Sequence, residues 1–215
     1  DGLSIAAALA QCLKGRTEPL PLGIVHAYST HNLLLRYWLA TAGLEAGREV
    51  RLSVVPPARA VEALQSGQIA GFCAGAPENA SYTGALLSRQ KYLNVDSHAI
   101  LSSLPGGAIR QDNLSRFWRQ AATFPWRSHA LWFLRQMARW DLIGDVDTQV
   151  LAARVYRPDL YRAAVTPLGI SAPVTDSKSE GAHDAPWQLD GAPSPISMGP
   201  DSFCDGAVFE AFPAK

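Results

Sequence analysis

Four consecutive residues near the start of the chain, Tyr28-Ser-Thr-His31, have side chains suited to hold a small anion. Ser29 and Thr30 carry hydroxyl groups and His31 carries an imidazole, and all three can donate hydrogen bonds to an oxyanion. The apolar run before them predicts a buried strand, and the spacing after them predicts a helix that Ser29 or Thr30 would cap. Because the first N–H groups of a helix are unpaired and lie at the positive end of its dipole, this turn favours an anion.

Alternating strands and helices predict that this turn belongs to an open parallel α/β sheet. Pro and Gly separate apolar runs from segments with helical spacing, which predicts strands over residues 22–27, 49–55 and 68–74 and helices over residues 32–43 and 58–65. Parallel strands end at the same edge of a sheet, where ligands commonly bind. The turn at His31 and the turn Cys-Ala-Gly75-Ala-Pro after the third strand are therefore expected to meet.

The composition argues against several other classes of function. The 215-residue chain is 47% hydrophobic, and its 19 basic and 19 acidic residues give a net charge of zero, which argues against nucleic acid held by a basic surface. Cys12, Cys73 and Cys204 form no CxxC pair, so we expect reduced thiols and neither a zinc site nor a disulfide scaffold. No apolar run is long enough to span a bilayer, and the first residues lack a signal-peptide pattern.

Beyond residue 77 the sequence changes to short helices and long loops. The clearest helix is expected over residues 124–140, with Ser128 as its cap and an apolar stripe that packs in a core. Another helix is expected over residues 156–168. From residue 171 onward, Pro, Gly, Ser and Asp dominate, which predicts an irregular tail that packs over a surface. His129 is expected to be structural, and His26 and His31 are not expected to form a metal site.

Several motifs resemble the nitrate and bicarbonate substrate-binding proteins of ABC importers, a family that includes a related cytoplasmic nitrate sensor. They keep the family's order and cover most of the chain: HNLLLRYWLA over residues 31–40, VVPP over 54–57, GFCAGAP over 71–77, FPWRSHALWF over 124–133 and FCDGAVF over 203–209. Relatives continue after the Gly-x-Pro motif through a further strand and a chain crossover. The chain therefore resembles a family member that starts after the first lobe and lacks an internal block.

The resemblance implies an incomplete periplasmic-binding-protein fold of the second type, which binds a small oxyanion (nitrate, nitrite or bicarbonate) in a cleft between two lobes. It implies that His31 donates to the anion, that Gly75 lends its backbone, and that Thr30 and Ser29 are weaker contacts. It also implies a periplasmic or membrane-associated protein that works with an ABC permease and ATPase complex. No catalytic residue, cofactor, metal or direct nucleic-acid contact is expected.

Four segments are expected on this basis. Residues 1–19 would be a residual first-lobe or hinge segment, and residues 20–77 the α/β lobe that binds the anion. Residues 78–170 would form a helical C-terminal region, which follows the parallel sheet lobe in the chain. Residues 171–215 would be the irregular tail.

Three alternatives stay open at this point. The first is a cytoplasmic nitrate or nitrite sensor of the same fold that regulates an RNA-binding antiterminator protein, and the free cysteines favour that compartment. The second is an enzyme on the same architecture, with His31 as base and Cys73 as nucleophile, although a buried inert thiol is the simpler interpretation of Cys73. The third is a fragment without function.

Overall fold

The computed structural model describes residues 2–56, 59–72 and 119–211, with side chains for residues 6–56, 59–72 and 120–211. The chain divides into two compact units, Gly2–Ser115 and Arg116–Lys215. None of the helices in the described ranges has both the length and the apolar character needed to cross a membrane.

The first unit is built on a three-stranded parallel sheet. Its elements are helix α1 Gly2–Leu13, strand β1 Leu20–Ile24, helix α2 Thr30–Thr41, strand β2 Val50–Val54, helix α3 Ala60–Gln65 and strand β3 Gly71–Phe72. The strand order is β2-β1-β3, so β1 is the central strand. Leu22 of β1 lies opposite Leu52 on one side and Gly71 on the other. The helix after β1 therefore begins at the carboxyl edge of the centre of this sheet.

Apolar residues on one face of α2 fix this helix against the sheet. Leu39 of α2 and Val50 of β2 are buried together with Leu13 and Leu44 in one core cluster. Burial of side chains of this size contributes about 1.5–3 kcal/mol each to folding, which is enough to hold a helix of this length in place. The sheet therefore sets where the N-terminus of α2 lies.

These elements confirm the predicted alternation of strands and helices around the His31 turn. The strand predicted over residues 22–27 lies at Leu20–Ile24, and the helix predicted from residue 32 begins at Thr30. The third strand, predicted over residues 68–74, is described at Gly71–Phe72. Cys73 and Gly75 lie outside the described residues, so the predicted approach of the Gly75 turn to His31 stays a prediction.

Helices and short antiparallel strand pairs make up the described part of the second unit. It contains a 3₁₀ turn Arg119–Ala121, helices α4 Arg127–Arg139, α5 Thr148–Val155 and α6 Pro158–Val165, a second 3₁₀ turn Thr166–Leu168, and strands β4 Ala172–Pro173, β5 Trp187–Leu189, β6 Gly191–Ala192 and β7 Ile196–Met198. Strand β4 pairs with β6, and β5 pairs with β7, both antiparallel. The tail predicted to be irregular thus contains two strand pairs.

The predicted capping role of Ser128 is wrong. Helix α4 begins at Arg127 after Trp126, with no side-chain cap, and the backbone N–H of Arg127 donates to the carbonyl of Asp176 at 2.9 Å. The tail thereby satisfies one of the unpaired N–H groups that a capping side chain would otherwise satisfy. The Ser128 hydroxyl is buried and donates instead to the Glu180 carboxylate at 2.6 Å.

Candidate functional site

Ser29 builds the turn that joins β1 to α2. It is the N-cap of α2, in an extended backbone conformation with φ −73° and ψ 147°, and its hydroxyl oxygen accepts a hydrogen bond from the backbone N–H of Asn32 at 3.2 Å. The same hydroxyl donates its hydrogen to the carbonyl of His26 at 2.8 Å. Because a serine hydroxyl has one hydrogen, Ser29 has none left here for a bound anion.

His26 is a structural part of the same turn. Its Nδ1 accepts a hydrogen bond from the backbone N–H of Tyr28 at 3.2 Å, so the neutral imidazole carries its proton on Nε2. The ring centroids of His26 and Tyr28 lie 5.5 Å apart. The imidazole of His26 therefore helps to hold the turn closed.

Thr30 and His31 occupy the first turn of α2, where donors are free. Helix α2 begins at Thr30, so the backbone N–H groups of both residues have no acceptor inside the helix. Thr30 is exposed and His31 is half-buried, and no described residue forms a hydrogen bond with either side chain. Two backbone N–H groups, a hydroxyl and an imidazole are therefore available together at the positive end of a helix dipole.

Asn32 and Arg36 of α2 stabilise this turn through hydrogen bonds. The Asn32 side chain is fully buried, and its amide nitrogen donates to the carbonyl of Ala27 at 2.5 Å. Its amide oxygen accepts a hydrogen bond from Nε of Arg36 at 3.2 Å. Partial burial lowers the pKa of Arg36 below its ordinary value, yet a guanidinium stays charged at neutral pH.

Sequence reasoning missed the roles of Asn32 and Arg36. Both belong to the motif that carried the family resemblance, and the signal was the spacing of four residues, which places two side chains on the same face of a helix. The structure does bring Ser29, Thr30 and His31 into one helical turn. Gly75 and Cys73 lie outside the described residues, so neither the backbone donor nor the His31–Cys73 pair is tested.

An apolar cavity of about 320 Å³ lies beside another face of α2. Its lining residues come from β1, α2 and β3: Leu22, Leu34, Leu35, Trp38 and Phe72. A largely apolar lining offers few donors to replace the hydration of an anion, so this cavity does not suit one. The free donors of Thr30 and His31 lie apart from this lining, at the N-terminus of α2.

A buried polar cluster in the second unit anchors the tail to α4. The carboxylate of Glu180 is bonded by the Ser128 hydroxyl and the Lys178 ammonium, and it lies 3.2 Å from Nε2 of His129. Lys178 also donates to Asp201 at 2.8 Å. His129 is therefore a structural partner of a carboxylate, which agrees with the expectation from sequence.

His183 extends the same cluster from the other side. Its Nδ1 lies 2.9 Å from Oδ1 of Asp201, and its backbone N–H donates to the same oxygen at 3.0 Å. The imidazole stacks on Trp187 with ring centroids 3.8 Å apart. We call the five charged or titratable side chains of this cluster the polar clasp: His129, Lys178, Glu180, His183 and Asp201.

The polar clasp lowers the pKa of both of its carboxylates. Burial by itself raises the pKa of Glu180, but hydrogen bonds and charges from His129 and Lys178 outweigh burial and hold this pKa below its ordinary value of 4.5. Burial likewise raises the pKa of Asp201, and hydrogen bonds from Lys178 and His183 bring it below 3.8. The clasp is thus built around ionised carboxylates.

Within residues 2–56, 59–72 and 119–211, no group of three or more His, Cys, Asp or Glu side chains could hold a metal ion.

The architecture matches that of a solved periplasmic binding protein. The chain is similar to the crystal structure of the periplasmic nitrate-binding protein NrtA from Synechocystis PCC 6803, with a TM-score of 0.65 and 21% sequence identity over 95% of this chain and 67% of that chain. This similarity confirms the predicted periplasmic-binding-protein fold of the second type. A donor-rich helix N-terminus at the carboxyl edge of a parallel sheet is a place where such α/β folds bind ligands.

Sequence comparisons give relatives of the same kind as this fold. The NMT1-like family matches residues 2–106. The nitrate/nitrite binding protein NrtA of Synechococcus elongatus is 26% identical over 96% of this chain and 61% of its own length. The nitrate import ATP-binding protein NrtC of Synechocystis PCC 6803 is 28% identical over 69% of this chain and 32% of its own length. The chain is thus similar to NrtA-type binding proteins over most of its length, as its motifs indicated.

The relatives are longer than this chain. The chain spans 61% of the NrtA protein of Synechococcus elongatus, and that alignment extends over 276 positions. Since the chain has only 215 residues, the alignment must include residues of NrtA that have no counterpart here. This agrees with the prediction that an internal block is missing.

Proposed function

We propose that this chain is the substrate-binding component of a nitrate-type ABC importer and that it binds a small oxyanion at the N-terminus of α2. The observation that carries the proposal is the set of free donors at Thr30 and His31, placed by the central strand of the sheet. The chain acts as a binding protein, and no bond of the anion is made or broken.

The chemistry of these donors suits nitrate. Nitrate is a planar anion with three acceptor oxygens, and a few well-placed donors replace its weak hydration. The N–H groups of Thr30 and His31 lie at the positive end of the helix dipole, and the His31 imidazole donates one further hydrogen bond. Ser29 contributes through its capping of α2, because its hydroxyl hydrogen is already bonded to His26. Gly75 is the proposed further backbone donor.

The relatives support an importer more than the alternatives. NrtA is named a nitrate/nitrite binding protein, and NrtC is named a nitrate import ATP-binding protein. By this analogy the partners of the chain are a small oxyanion and a membrane complex of permease and ATPase, and its place is at the outer face of the membrane. A cytoplasmic sensor of an antiterminator protein stays the second candidate, and co-purification with a permease complex would contradict it.

Isothermal titration of the folded 215-residue chain with nitrate, nitrite and bicarbonate tests the proposal. Saturable binding of one anion is expected. We expect His31→Ala to weaken it by at least about tenfold, since a charge-assisted hydrogen bond contributes about 1.5–3 kcal/mol. We expect His31→Gln, which keeps a donor, to weaken it less.

The matched control for this titration is His129→Gln in the second unit. It removes an imidazole of similar exposure from a structural cluster, so nitrate affinity should stay within about twofold of the native value. A folded native chain that binds none of the three anions would contradict the proposed function. Equal losses of affinity in the His31 and His129 variants would contradict the proposed site.

A further inference from the structure

We propose that the side-chain amide of Asn32, held by Arg36, is the positioning element of the anion site. It fixes the first turn of α2 to the end of the turn that follows β1, and so sets where the donors of Thr30 and His31 point. This inference rests on the proposed function. Asn32 touches no anion itself and acts through its two neighbours.

The Asn32 side chain makes hydrogen bonds that packing alone would not require. Its side chain is fully buried, where an apolar residue of similar volume would also fill the space. A buried amide is unfavourable unless its donor and acceptor are both paired, and here both are paired, to Ala27 and to Arg36. Removal of the amide would leave the carbonyl of Ala27 and the Nε–H of Arg36 without these partners.

Asn32 holds the turn at two points. Its side chain bonds the carbonyl of Ala27, and its backbone N–H bonds the hydroxyl of Ser29. Thr30 and His31 lie between Ser29 and Asn32 in the chain. Their backbone N–H groups are thus fixed from both ends, and a shift of either end would turn them away from a shared ligand.

Arg36 sets which way the amide faces. Its Nε donates to the amide oxygen, so the amide nitrogen of Asn32 is directed at Ala27. The planar guanidinium is a fixed donor, unlike the ammonium of lysine, which rotates freely on a flexible stem. Arg36→Lys should therefore keep the charge of this position and weaken the orientation of the amide.

The test compares nitrate affinity and thermal stability in three variants. Asn32→Leu removes both hydrogen bonds of the Asn32 amide without adding charge. Arg36→Lys removes the guanidinium N–H that donates to this amide. Leu39→Ala is the matched control, because Leu39 lies on the same helix, is 1% exposed and belongs to a core cluster away from the turn. Asn32→Leu should weaken nitrate binding by about tenfold, and Arg36→Lys by about threefold. Leu39→Ala should lower the melting temperature at least as much and leave affinity within about twofold.

A ligand-free measurement separates this inference from the proposed function. In ¹H–¹⁵N spectra, the amide signals of Thr30 and His31 should shift or broaden in Asn32→Leu and stay in place in Leu39→Ala. Native affinity and unchanged amide signals in Asn32→Leu would overturn the positioning role. Absence of anion binding by the native chain would overturn the proposed function, and the amide signals alone would then decide whether Asn32 positions this turn.

Discussion

The Ser29 hydroxyl organises the turn on which the proposed anion site is built. It accepts a hydrogen bond from the backbone N–H of Asn32 and donates one to the carbonyl of His26. The hydroxyl therefore both caps α2 and closes the turn. From sequence alone, Ser29 was placed among the weaker ligand contacts, because the direction of a hydroxyl hydrogen is not encoded in residue type. Its capping role was predictable, since Ser before a helical pattern is a common N-cap.

We expect Ser29→Ala to destabilise the first unit. The substitution leaves the Asn32 N–H and the His26 carbonyl without these bonds, and loss of an N-cap costs about 1 kcal/mol. Urea unfolding monitored by circular dichroism measures the change. Ser29→Thr keeps a hydroxyl and should retain most of the stability, and equal losses in both variants would argue against the cap.

At the scale of elements, β1 fixes the site because it is the central strand and lies close to β3. Gly23 of β1 is buried where the two strands approach, and a Cβ at this position would lie 2.9 Å from Cδ1 of Ile69 and 3.1 Å from Cβ of Phe72. The end of the Ile69 side chain can move, whereas the Cβ of Phe72 is fixed to the backbone. The strand therefore requires glycine here for close packing.

Gly23→Ala should destabilise the first unit by about 1–3 kcal/mol through overpacking. Gly71→Ala on the neighbouring strand is the matched control, since its Cβ would meet Cδ2 of Leu22 at an ordinary 3.5 Å. Thermal unfolding of both variants measures the difference. A larger loss in Gly71→Ala than in Gly23→Ala would contradict the close approach of β1 and β3.

The polar clasp makes the second unit sensitive to acid. The folded pKa values of Glu180 and Asp201 lie below their ordinary values, so the unfolded chain binds more protons as pH falls. The stability that these carboxylates contribute is therefore present at neutral pH and is lost as pH falls below about 4.5 through the folded pKa values. Stability is lost in acid because protonation removes the negative charges of Glu180 and Asp201 that pair with Lys178.

Glu180→Gln should reduce this dependence on acid. The variant should be less stable at neutral pH, because Lys178 and His129 lose an ionised partner, and its stability should fall less steeply between about pH 5 and pH 3. Unfolding by urea at a series of pH values measures both effects. A native pH profile in Glu180→Gln would show that the clasp does not control acid stability.

The elements that could be predicted from sequence are those with strong local signals. Strand β1, helix α2 and strand β2 were predicted close to their observed places, because Pro, Gly and apolar periodicity all agreed there. Helix α5 was missed, since only Ala152 of this short helix is buried, and its cap, Asp147, was not considered. Ser128 was misassigned because its partner, Glu180, is 52 residues away in the sequence.

At the scale of the whole molecule, the fold and the similarity to NrtA-type proteins could be predicted from motifs in fixed order. The motifs at residues 31–40 and 71–77 carry the turn and the strand of the first unit, and the similarity to NrtA extends over nearly the whole chain. The supporting contacts of Asn32 and the clasp could not be predicted, because they depend on which buried polar groups meet in space. The four-residue spacing of Asn32 and Arg36 was a signal that the two side chains share a helix face, but it does not show what they bond to.

The measurement that tests the central claim most directly is a nitrate titration of the ¹⁵N-labelled chain. Free donors at the N-terminus of α2 predict that the amide signals of Thr30 and His31 move together and saturate as nitrate is added. The signals of α4 and α5 should stay in place. Saturable shifts confined to other residues, with Thr30 and His31 unchanged, would contradict the proposed anion site.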